Sequence, residues 1–124
     1  MVTQLIINTN KMNTLYCIIS LFGLGALVGM YLLALVFQKK ETPKFVAFIH
    51  GAFVTSALAL LICYACNQHA GLTETIIIFL LAALGGITLL VRDLTKKPLP
   101  RWLAIGHALL AVVGFLYLLV YASK

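Results

Sequence analysis

A shift of 57 positions lays the second half of this 124-residue chain on the first without a gap. Lys39-Lys40 then falls on Lys96-Lys97, Pro43 on Pro100, Lys44 on Arg101, Phe45 on Trp102, Ala47 on Ala104 and His50 on His107. The match runs on to Leu61/Leu118, Tyr64/Tyr121 and Ala65/Ala122, and back through Gly29/Gly86 to Leu24/Leu81 and Phe22/Phe79. From Leu21 to Cys66 there are 15 identities in 46 pairs. Two apolar segments share leucines by composition alone, but not a basic turn, a proline and a histidine in one register. A chain that repeats itself repeats its structural unit.

Hydropathy says what the unit is. Residues are 63% hydrophobic and 10% charged, with a mean hydropathy of +1.09, too little polar surface to cover a soluble core. Four apolar stretches, 14–37, 45–66, 75–91 and 102–122, approach the ~20 residues that cross a hydrocarbon layer of about 30 Å. The third is the shortest and is expected to extend by a turn at either end. The expected fold is therefore all-α and integral to the membrane: a bundle of four transmembrane helices made of two tandem helical hairpins. Residues 1–13 read as an outward tail whose Leu5-Ile6-Ile7 patch lies on the membrane surface. The first hairpin takes 14–66, an outward loop 67–74, and the second hairpin 75–124. An even number of spans per repeat gives both copies the same orientation, so a pseudo-two-fold axis along the membrane normal is expected to relate them.

The net charge of +6 is not a nucleic-acid footprint. Seven of the nine basic residues (Lys39, Lys40, Lys44, Arg92, Lys96, Lys97, Arg101) sit in or beside the two short turns that close the hairpins. By the positive-inside rule those turns face the cytoplasm and both termini face outward. The expected setting is a bacterial inner membrane. The first helix is too long, and too much a part of the repeat, to be a cleaved signal.

Chemistry can reside in few places. Each histidine follows its proline by seven residues, about 10 Å along a helix, which puts both imidazoles inside the apolar layer. Ionisable groups there face the bundle interior. The His50 face also carries Val54, Ala57, Leu61 and Tyr64, and the His107 face carries Ala111, Gly114, Leu118 and Tyr121. Gly51, Gly106 and Ala108 are expected to add room beside the rings. Two imidazoles on facing helices are a candidate bis-histidine site for haem b, with Lys44 and Arg101 placed to meet the propionates. The plainer alternative is a structural pair, each ring bonded to the other or to a backbone carbonyl at about 1 kcal/mol. Two ligands do not make a closed zinc or copper site.

Cys63-x-x-Cys66 is a candidate redox pair, although its repeat partners are Val120 and Ser123 and the three cysteines are an odd count. Gly25-x-x-x-Gly29 reads as a helix-packing notch. No carboxylate lies mid-span, which argues against a proton-coupled cation transporter, and no nucleophile–base pair or phosphate loop is present. The sequence thus leans to a non-catalytic accessory or assembly subunit that meets a membrane-protein partner or a second copy. A haem-binding electron-transfer protein is the alternative. On the charge asymmetry, membrane-impermeant thiol reagents should label Cys66 only from outside and cysteines engineered into the basic turns only from the cytoplasm. Opposite sides for the two turns would overturn this topology.

Overall fold

The computed structural model describes residues 1–124, and the chain is four helices with no strand: α1 (Val2–Phe37), α2 (Lys44–Gln68), α3 (Thr73–Leu94) and α4 (Arg101–Ala122). Each is long and apolar enough to cross a membrane. Sequential helices are joined by short connections and run antiparallel, α1 packing on α2 and α3 on α4, while α1 also meets α4 and α2 meets α3. No Cα of α1 comes within 8 Å of one in α3, nor does any of α2 approach α4 so closely. The four helices therefore stand at the corners of a square, with α1/α3 and α2/α4 on its diagonals.

The helix limits fall 57 residues apart: α1 and α3 end at Phe37 and Leu94, and α2 and α4 begin at Lys44 and Arg101. Pro43 and Pro100 stand as N-caps, both extended, one position earlier than the first-turn place their ring would also tolerate. Both first helices end alike. Lys39 and Lys96 adopt left-handed backbone (φ 56° and 54°), and the next amide reaches back five residues, from Lys40 to Leu35 O and from Lys97 to Arg92 O. These are Schellman closures with lysine where glycine is the usual residue.

Two parts of the architecture differ from the sequence expectation. Residues 2–13, read as a surface tail, are the first turns of α1. No proline or glycine interrupts the chain before Gly23, and Thr9 and Thr14 turn their hydroxyls back onto Leu5 O and Asn10 O instead of competing for the helix amides. At 36 residues α1 is about 54 Å long, well beyond the hydrocarbon layer. The connection expected over 67–74 also shrinks to residues 69–72. His69 turns left-handed (φ 48°), the Ala70 amide bonds Ala65 O, and Leu72 is fully buried at the start of α3.

The same registers are buried in both hairpins: Ile18 and Thr75, Phe22 and Phe79, Gly25 and Ala82, Ala57 and Gly114, Leu61 and Leu118. The Phe22 and Phe79 rings stack across the α1/α3 diagonal, with centroids 4.1 Å apart and planes 6° from parallel. All large, fully buried side chains (Ile18, Leu61, Leu72, Leu118) belong to the half of the bundle nearer the His69 connection. In the half nearer the basic turns only Thr42 and Ala104 are buried. Complete burial is thus concentrated in one half of the bundle.

A lysine in left-handed backbone carries a strain of about 1 kcal/mol that glycine does not. Lys39→Gly and Lys96→Gly should each raise stability by about that amount in reversible unfolding from detergent, and together should add. Destabilisation by either change would show that the turn has another conformation.

Candidate functional site

His50 sits two turns into α2 and His107 two turns into α4, because the N-caps at Pro43 and Pro100 start both helices in register. Both are half-buried and face the bundle axis across the α2/α4 diagonal. Their rings lie 6.1 Å apart, centroid to centroid, with planes at 82°. They do not bond one another. His50 Nδ1 donates to Gly25 O on α1 at 2.8 Å, and His107 Nδ1 donates to Ala82 O on α3 at 2.7 Å. A carbonyl can only accept, so each Nδ1 carries the proton and each Nε2 keeps its lone pair. Neither Nε2 has a hydrogen-bond partner in the protein.

Helix carbonyls are ordinarily claimed by the amide four residues on, so an imidazole reaches one only where the helix surface is bare. Here two glycines make it bare. A Cβ on Gly29 would stand 2.9 Å from His50 Cε1, and one on Gly86 would stand 3.0 Å from His107 Cε1. Gly85 adds room beside His107, and Gly25 admits the Val54 side chain. A Cβ at Gly51 or Gly106 would meet nothing within 4 Å, so the space beside them is open and neither is in contact with an imidazole. The Gly25/Gly29 notch is thus a packing surface in which one glycine receives a valine and the other an imidazole.

Lys44 and Arg101, expected at the mouth of the site, stand at the turn end and join the hairpins. Lys44 Nζ pairs with Asp93 at the end of α3, the Asp93 carboxylate being only 14% exposed. Arg101 Nη2 donates to Phe37 O at the end of α1 at 3.0 Å, with its guanidinium 5.9 Å from the Phe37 ring centre. Each cation therefore clasps the C-terminus of the other hairpin's first helix, where the helix dipole favours positive charge. Thr42, two residues before Lys44, is buried at 7% exposure, and its Oγ1 is the one buried side-chain polar atom without a partner.

Cys63 and Cys66 are free and exposed near the far end of α2, about 20 Å from His50 along the helix. Tyr64 is buried at that end and Tyr121 half-buried, and Lys11 lines the clefts beside Tyr64. No group of three or more metal-ligating side chains exists in the chain. The glycine seats, the carbonyl acceptors and the Phe22/Phe79 stack were not read from sequence as parts of the site. The signal was present, since Gly29/Gly86 and Phe22/Phe79 are identities of the repeat.

No protein-family model matches this chain, and no curated protein or solved structure matches it either.

The seats give a sharp expectation. Gly29→Ala and Gly86→Ala should each destabilise by about 1–3 kcal/mol, because imidazole or helix must shift and the carbonyl bond is lost. Gly23→Ala, with open space around it, should be neutral or slightly stabilising through helix propensity. Equal effects at all three positions, in the same unfolding assay, would show that the seats are unimportant.

Proposed function

We propose that this integral membrane protein holds a haem b between α2 and α4, with His50 and His107 as axial ligands, and serves as a one-electron carrier. The observation that carries the reading is the histidine pair: two imidazoles on one diagonal, each with Nδ1–H fixed to a backbone carbonyl and Nε2 unpartnered. Ligating histidines ordinarily donate their other ring N–H to such an acceptor, which orients the ring and sets its tautomer.

The Phe22/Phe79 stack lies about one helical turn from the carbonyls that hold the imidazoles, and Gly29 and Gly86 let each ring sit against its neighbouring helix. At the turn end Lys44 and Arg101 are engaged with Asp93 and Phe37 O, and would exchange those partners to meet the propionates. Bound there, the haem would supply reversible one-electron transfer. The chain's own residues orient both imidazoles and exclude water. We place the two hairpins about a pseudo-two-fold axis along the membrane normal, basic turns cytoplasmic. The matched hydrogen bonds at Gly25 and Ala82 support that symmetry.

A second reading is a non-catalytic accessory subunit. It is favoured by the outer surface, where no helix's most apolar window is more than 17% buried and Gly23, Gly51 and Gly106 leave open notches for another membrane helix. Absorbance separates the two. Protein expressed with haem supplied should show a Soret band that shifts on reduction, lost in His50→Ala and in His107→Ala and retained in His69→Ala. A colourless wild-type protein would overturn the haem reading and leave the accessory one, to be tested by copurification from native membranes.

A further inference from the structure

The turn end gathers seven basic residues, and the fold itself engages three of them. Lys44 is held by Asp93, Arg101 by Phe37 O, and Arg92 by Pro98 O through Nε at 3.1 Å and Nη2 at 2.9 Å. Lys39, Lys40, Lys96 and Lys97 remain exposed, with no ion pair or side-chain hydrogen bond, and Glu41 is the only other carboxylate nearby. The four form two pairs, each fixed in the same left-handed turn. The clasps between Lys44 and Asp93 and between Arg101 and Phe37 hold the two turns side by side.

Beside each lysine pair, in the first turn of the next helix, an aromatic ring stands free: Phe45 and Trp102, each 75% exposed. Topology alone calls for positive charge here, not for an unburied ring in the same register of both hairpins. Aromatic rings favour the headgroup level of a bilayer, and lysines just outside it attract anionic lipid by about fivefold each.

We propose that the turn end carries two equivalent sites for anionic phospholipid headgroups. One is built from Lys39, Lys40 and Phe45, and the other from Lys96, Lys97 and Trp102. In each, the two ammonium groups take the headgroup phosphate and the ring lies against the glycerol and upper acyl chains. The sites go beyond the haem reading and stand with or without it.

Trp102 is the only tryptophan in the chain, so its fluorescence reports on one site. The whole protein is reconstituted into phosphatidylcholine vesicles containing increasing amounts of dibrominated phosphatidylglycerol or dibrominated phosphatidylcholine. The anionic quencher is expected to act at concentrations about fivefold or more below the neutral one. Lys96→Ala with Lys97→Ala should abolish that preference, while Lys39→Ala with Lys40→Ala leaves it. In the exchange Phe45→Trp with Trp102→Phe the roles of the two lysine pairs should reverse. Inorganic phosphate at millimolar concentration should not relieve quenching. Equal quenching by both lipids would overturn the proposal. So would relief by inorganic phosphate, which would assign the lysines to a soluble anion.

Discussion

An imidazole inside a membrane must give its N–H to something, and everything in the middle of this bundle follows from where that proton goes. Water is absent and no carboxylate is within reach, so the acceptor is a backbone carbonyl already serving its own helix. Reaching it requires α1 and α2, and likewise α3 and α4, to approach until a single Cβ would obstruct. Gly29 and Gly86 remove that obstruction. The hydrogen bond, the glycine and the interhelical distance are one constraint seen from three sides. The constraint also fixes the tautomer, so two acceptor nitrogens are left near the bundle axis with nothing from the protein to accept.

The bundle is unequal along its length. Toward the His69 connection the apolar side chains interlock, with Ile18, Leu61 and Leu118 fully enclosed and Leu72 closing the end. Toward the basic turns the helices are held at their rims by Lys44 with Asp93 and Arg101 with Phe37, and little is enclosed between them. The rim contacts differ chemically between the hairpins because Asp93 has no acidic counterpart at Val36. Arg101 takes a carbonyl where Lys44 takes a carboxylate. A bundle packed at one end and clasped at the other keeps its helices aligned along their whole length.

Much of the architecture was legible in the sequence, because hydropathy, proline placement and the 57-residue register act locally. The four helices, the two basic turns and the inward face through Ala57, Leu61 and Tyr64 all stand where those signals put them. The extension of α1 was hidden because asparagine and threonine suggest a tail when counted as polar residues, whereas the Thr9 and Thr14 hydroxyls bond back onto carbonyls of the same helix. Gly51 and Gly106 stand next to the histidines in sequence, but neighbours one position apart on a helix point about 100° apart, and it is Gly29 and Gly86 on the facing helices that meet the rings.

The sequence by itself determined that the chain is four helices long and apolar enough to cross a membrane, and its 57-residue register matches one histidine in α2 to one in α4. Periodicity and register reside in the chain and need no partner to be read. Only the tertiary structure decided which atoms those histidines meet. Whether an imidazole bonds its twin, a carbonyl or neither depends on interhelical distances that a missing Cβ sets on another helix. It was the packing of α1 on α2 and of α3 on α4 that turned two matching histidines into imidazoles oriented by carbonyls, with ring centres 6.1 Å apart and each Nε2 unpartnered.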